Sequence, residues 1–293
     1  MKKPAKPKPP PTVPIRGERD PVIWQGRMHR KPWHFLITAA IPCFDHAVET
    51  AAVIELLRLQ TCKPYIILVD TGSCARELAK LETLRAQDVE LHLIRRNAMQ
   101  HPCDSIAAAM DLAFSMADTP YVYTTHQDCF VRARHWLQHL VDNIHGLAAI
   151  GYRLSPRKFP GWEQHLGHTS TLFSVAEWDR LGATWSLRRA ASLLGVGRPA
   201  NDMTIFDAID TEAAFNTRFI QAGAKTAFVG TEENFVRTLD DNIDHPRSLI
   251  CTGLYYPPSY QARRQATDLA LQAALARIRL WQSSGPADPQ VTA

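Results

Sequence analysis

Residues 65–73 read Tyr65-Ile66-Ile67-Leu68-Val69-Asp70-Thr71-Gly72-Ser73. Five apolar residues in succession end in a carboxylate and then a Thr-Gly-Ser turn. A run this short, rich in β-branched residues and closed by turn formers, reads as a strand buried on both faces. Strands of that kind belong to parallel sheets covered by helices. The neighbouring sequence follows suit. Phe35–Ile41 is a similar run, and Ala47–Leu59 between the two has helical spacing. Downstream, Ala75–Arg85 reads as helix, Val89–Ile94 as strand, Asp104–Met116 as helix, Tyr121–Thr125 as strand, Arg134–Ile144 as helix and Ala148–Tyr152 as a fifth strand. Alternation at this spacing argues for βαβ units around a mostly parallel sheet flanked by helices, an α/β fold.

The rhythm changes after residue 152. Thr169–Val175 reads as strand, Val175–Leu181 as a short helix and Gly195–Pro199 as a loop. Thr211–Ala222 reads as a helix with Thr211 as N-cap and Gly223 closing it. Lys225–Val229 reads as a short strand. Residues 260–282 form an amphipathic helix whose Leu271, Leu275, Ile278 and Trp281 share a packing face. The expected organisation is an arm and lead-in over 1–33, one half over 34–152, a second over 153–258, and a C-terminal helix and tail over 259–293.

Composition narrows the class. The chain has 293 residues, 45% hydrophobic and 21% charged, which suits a globular domain and excludes fibrous or wholly disordered chains. No apolar run approaches the roughly 18 residues of a membrane span. Lys and Arg number 33 against 29 Asp and Glu, a formal charge of +4. Lys2, Lys3, Lys6 and Lys8 lie among the first eight residues, so the excess sits in a Lys/Pro arm and the remainder is balanced. A nucleic-acid reader normally carries its basic excess on the folded surface. Cys43, Cys62, Cys74, Cys103, Cys129 and Cys251 include no Cys-x-x-Cys pair, which argues against a zinc knuckle. With no apolar leader, buried free thiols in a cytoplasmic protein are the expectation.

In open parallel sheets, ligands bind beyond the carboxyl ends of the strands. The residues that follow the predicted strands are Pro42-Cys43-Phe44-Asp45, Asp70-Thr71-Gly72-Ser73, Arg95-Arg96-Asn97 and His126-Gln127-Asp128. A dinucleotide glycine fingerprint, a P-loop and a nucleophile elbow are all missing from the sequence.

The order Ile41-Pro42, Gln60-Thr61, Val69-Asp70-Thr71-Gly72-Ser73 and then His126-Gln127-Asp128 resembles family 2 glycosyltransferases of the GT-A fold, which show V-D-D-G-S and a D-x-D-type metal motif at the matching places. The resemblance implies a GT-A sheet, a nucleotide-diphosphate sugar as donor, and Mn²⁺ or Mg²⁺. It places Pro42, Asp70, Gly72, Asp104 and Arg247 with the donor, and Asp128, His245 and His126 with the metal. His126 stands where the family has an acid. Glu212, with Asp210 beside it, matches the acidic element that takes the acceptor's proton during inverting transfer.

The residues admit structural readings too. Asp70 suits capping of the Thr-Gly-Ser turn, Asp104 the N-cap of its helix, and Asp210 and Glu212 a helix N-terminus. His126 and Asp128 suit a polar strand-end turn. His165 and His168 read either as a metal pair or as part of an acceptor loop. Trp162, Trp178 and Trp185 suit sugar stacking or core packing. Functional alternatives are an inactive relative that binds a nucleotide sugar or glycan, an enzyme that moves a nucleotide, and a transferase acting on modified nucleic acid. The acceptor hydroxyl stays open among glycan, lipid-linked, protein and nucleic-acid sources, with the Lys/Pro arm suited to touching a polyanion.

Overall fold

The computed structural model describes residues 35–94, 102–154, 164–186, 211–231, 243–244 and 257–285, with backbone alone at 102–104 and 257–263. The Lys/Pro arm, Arg95-Arg96-Asn97, Trp162, Gly195–Pro199, Asp210, His245 and Arg247, and the side chain of Asp104, lie outside the described residues.

Nine strands are described: β1 Ile37–Cys43, β2 Tyr65–Asp70, β3 Val89–Leu93, β4 Tyr121–Thr124, β5 Phe130–Val131, β6 Ala149–Arg153, β7 Thr171–Ser174, β8 Thr226–Thr231 and β9 Ile243–Asp244. The helices are α1 Ala47–Arg58, α2 Ala75–Glu82, α3 Pro102–Met116, α4 Trp136–Asn143, α5 Val175–Leu181, α6 Ala213–Gln221 and α7 Pro257–Ser283. Seven strands form one sheet in the order β3-β2-β1-β4-β7-β6-β8. All run one way except β7, which is antiparallel to both β4 and β6. β5 and β9 form a separate antiparallel pair.

Every residue of β1 and β2 is buried, because helices cover both faces of the sheet. Ile37, Ala39 and Ile41 of β1 with Ile66 and Leu68 of β2 pack against α1, α4 and α7. Ala40, Ile67 and Val69 face the opposite core with α3, α5 and α6. That second core centres on Phe114, Phe173, Trp178, Trp185, Phe215 and Phe219, with Phe114–Trp178 ring centroids 4.3 Å apart and Trp185–Phe215 4.7 Å apart. Trp178 and Trp185 are thus core residues, and sugar stacking by them is ruled out by burial. On α7, Leu271 and Ile278 are buried, with Leu275 and Trp281 packed beside them.

Two differences from the sequence reading bear on the site. The helix expected from Thr211 begins at Ala213, with Glu212 at the N-cap position in helical conformation and no side-chain capping bond. Thr211 is therefore not the cap: the chain enters the helix one residue later, and the Glu212 side chain turns away to another partner. The two-residue β5–β9 pairing is too short to leave a periodic signal.

Candidate active site

The antiparallel β7 decides the geometry. Because it runs against β4, its first residue, Thr171, pairs with Thr124, the last of β4. The loop before β7 thus lies at the same edge as the ends of β1, β2 and β4. Ser170 in that loop has φ 58°, a left-handed conformation unusual for serine. Tyr123 Oη and Ser170 Oγ lie 2.7 Å apart, and Trp136 Nε1 donates to Ser170 Oγ at 2.9 Å. These buried bonds hold the backbone there.

At the end of β2, the Asp70 carboxylate accepts from the backbone N–H of Gly72 (3.1 Å) and of Ser73 (3.1 Å to Oδ2), and from the Ser73 hydroxyl. This is the turn-capping arrangement. Gly72 has φ 117°, which a side chain would resist. Burial pushes the Asp70 pKa up, opposed by the bonds from Ser73 and Gly72. Pro42 lies inside β1 opposite Val69. Beyond β1, Asp45 and His46 both have φ 54°. Asp45 N–H donates to Ser73 Oγ (2.6 Å), and Cys74 N–H donates to Asp45 Oδ1 (2.8 Å).

The segment after β4 is tied to the same loops. Gln127 accepts from Phe44 N–H and donates to Phe44 O. Asp128 is buried, 2% exposed. His126 reaches the other way: its Nε2 meets Nε2 of His168, and Nδ1 of His168 meets Oε1 of Glu212. The backbone N–H of His168 also donates to Glu212 Oε1 at 3.4 Å. Glu212 is 2% exposed, and its Oε2 has no hydrogen-bond partner among the described residues. Asn216, one turn along α6, holds the loop by accepting from Leu166 N–H (2.9 Å) and donating to Leu166 O (2.8 Å).

The structure therefore brings His126 and Glu212 to one place, through His168, with Asp128 two residues from His126. Asp70 and Gly72 lie on the neighbouring loop, linked through Asp45, Phe44 and Gln127. His165 and His168 do not share a helical face, since residues 164–170 are not helical. Sequence reasoning gave Gln127 no role of its own and read His168 as a metal partner of His165 or as part of an acceptor loop, not as the contact between His126 and Glu212. The 42 and 44 positions separating His168 from His126 and Glu212 leave no local pattern to find.

The sequence matches the family described as Glycosyl transferase family 2 over residues 38–187, just over half of the chain. The chain belongs to glycosyl transferase family 2. The family 2 glycosyltransferase domain therefore covers β1 through α5 and the loop carrying His168, with Glu212 beyond its matched end. No curated protein sequence matches the chain. Similar folds occur in S. aureus TarS 1-349 in complex with UDP-GlcNAc (12% identity, 85% of this chain, 73% of that chain, TM-score 0.46). They occur also in the mannosyltransferase PcManGT from Pyrobaculum calidifontis in complex with GDP-Man and Mn2+ (15%, 88%, 79%, 0.46) and in the galactosyltransferase LgtC (11%, 80%, 95%, 0.48). Against the longer TarS structure the chain spans 36% of that protein's length.

Among the described residues, no group of three or more His, Cys, Asp or Glu is arranged to hold a metal ion. The donor set after β4 nevertheless suits a divalent cation in kind: Asp128 offers a buried carboxylate and His126 an imidazole, types that Mn²⁺ accepts. No helix among the described residues is long and apolar enough to cross a membrane.

Proposed function

We propose that this protein transfers a sugar from a nucleotide-diphosphate donor to an acceptor hydroxyl, with a divalent metal and with inversion at the anomeric carbon. The observation that carries the reading is Glu212 Oε2, a buried and unpartnered carboxylate oxygen at the sheet edge where β4 ends. An acceptor hydroxyl donating there would satisfy it. In the transfer, the hydroxyl oxygen attacks the anomeric carbon, the bond from that carbon to the diphosphate oxygen breaks, and the hydroxyl proton passes to Glu212 Oε2. Glu212 is favoured over Asp210 as this base because its free oxygen is at hand.

Asp128, with His126 and His245, would hold the cation. Support comes from β9, which ends at Asp244 immediately before His245 and pairs Asp244 with Phe130, two residues beyond Asp128. A bound Mn²⁺ or Mg²⁺ would neutralise charge developing on the leaving diphosphate. Pro42, Asp70, Gly72, Asp104 and Arg247 are assigned to the donor, Asp70 to the base through lone pairs beyond those used by the turn, and Arg247 to phosphate. The two halves, 34–152 and 153–258, would divide donor from acceptor binding.

Calorimetric titration of the full chain with UDP, GDP, CDP and their sugar conjugates, with Mn²⁺ and then with EDTA, tests this. Metal-dependent binding of one nucleotide, lost in Asp128→Ala, supports the donor site and names its base. Binding without turnover points to the inactive relative that His126, in place of an acid, suggests. No binding under either condition overturns the reading.

A further inference from the structure

Three side chains from distant parts of the chain meet in a row, Glu212, His168 and His126. The contact fixes how each is used. Glu212 receives the ring Nδ1 and the backbone N–H of His168 on one oxygen, Oε1. A carboxylate only accepts, so Nδ1 of His168 carries the proton. Nε2 of His168 and Nε2 of His126 face each other, so one of the two carries the proton of that contact.

The side-chain capping bond that an acid at a helix start can make is absent. Glu212 sits at the N-cap of α6 yet makes no capping bond. Its side chain is instead turned onto His168, and the second oxygen is left buried without a partner among the described residues. Burying such an oxygen is unfavourable unless a ligand completes it. The loop presenting His168 is itself anchored: Thr124 Oγ1 donates to His168 O at 2.5 Å, Asn216 grips Leu166, and the Trp185 ring stands edge-on to the imidazole at 6.1 Å. A carboxylate held by a fixed imidazole loses the rotational freedom that would otherwise blur the position of Oε2.

We propose that His168 is a positioning residue for transfer, its Nδ1–H engaging Glu212 Oε1 so that Oε2 alone faces the acceptor, with His126 anchoring its far edge. The proposal rests on Glu212 being the general base. His168 itself touches no reacting atom.

The test uses the full chain and hydrolysis of UDP-GlcNAc and GDP-mannose with Mn²⁺, water serving as acceptor. His168→Ala should lower kcat by about 100-fold, within the range for a misplaced general base, with donor Kd within about twofold. His168→Asn, whose amide N–H falls near the position of Nδ1, should recover at least about tenfold of that loss. Glu212→Gln combined with His168→Ala should be no slower than Glu212→Gln alone, since residues acting as a unit are not additive. In ¹⁵N-histidine-labelled chain, the His168 ring should carry a proton on Nδ1; a ring protonated on Nε2 alone overturns the proposal without any need for turnover. Wild-type kcat in His168→Ala, with Glu212→Gln impaired, overturns the positioning role and leaves the general base standing. His168→Asn no better than His168→Ala overturns it too. Full activity in Glu212→Gln, or no turnover by the wild-type chain, overturns the general-base reading and the proposal with it.

Discussion

Gln127 and Phe44 pair through two hydrogen bonds: Phe44 N–H donates to Gln127 Oε1 at 2.7 Å, and Gln127 Nε2 donates to Phe44 O at 3.2 Å. The primary amide thereby takes the place of a further rung of parallel sheet where β1 and β4 have already diverged. It locks the loop before α1 to the candidate metal motif. Gln127→Ala leaves both backbone groups of Phe44 without their side-chain partner and should cost about 1–3 kcal/mol. Gln127→Glu should do no better at neutral pH, because its carboxylate faces the Phe44 carbonyl. Urea unfolding of the two variants checks this, and full wild-type stability in both would refute it.

Gly151 in β6 lies against Thr171, the first residue of β7. A Cβ at Gly151 would come within 2.0 Å of Thr171 Oγ1 and 2.6 Å of its Cβ. Both strands are buried there, so neither yields freely. Gly151→Ala should destabilise by about 1–3 kcal/mol through overpacking. Gly151→Ala combined with Thr171→Ala should recover part of that loss. Thermal melts of the single and double variants decide the matter.

Arg58 on α1 grips Asp88 before β3 with two bonds, Nε to Oδ2 and Nη2 to Oδ1, each 2.8 Å. The guanidinium holds the Asp88 pKa below the usual carboxylate range. A depressed folded value means the stabilisation is complete above the unfolded value of about 3.9 and fades as pH falls through the folded one. The pair is partly exposed, so its worth is about 1 kcal/mol or less. Asp88→Asn should trail the wild type at pH 6, with the gap closing below about pH 4. A gap that stays constant down to pH 2 would contradict the linkage.

Cys43 and Cys129 are buried, whereas Cys74 is exposed. Burial pushes the Cys43 thiol up, and the Cys129 thiol to about 12. The thiolate is the reactive form. Brief iodoacetamide treatment of the native chain should therefore label Cys74 and spare Cys43 and Cys129 until denaturant is added. Peptide mass spectrometry reads each site. The expectation of buried free thiols thus holds at Cys43 and Cys129 and fails at Cys74, the exposed residue just before α2.

The strands and helices around residues 37–153 were legible because burial on both faces writes continuous apolar runs such as Tyr65–Val69, and amphipathic helices write their own period. The family was legible because its signature residues sit at strand ends, where backbone geometry demands a Gly in the turn and a carboxylate to cap it. Asp70 shows the limit of that kind of reading, since the carboxylate that marks the motif is occupied by its own turn. Asp104, Asp210, His245 and Arg247 rest on the family resemblance alone.

By itself the sequence determined the α/β alternation, the order of the parallel strands' motifs, and the family. Only the tertiary structure decided that β7 runs against its neighbours. That reversal returns the loop of His168 to the edge where β4 delivers His126, and it sets the start of α6 beside them. No periodicity encodes such a meeting, because it depends on how strands pair across more than 40 residues. The same pairing left Glu212 buried with one oxygen held by His168 and the other without a partner among the described residues.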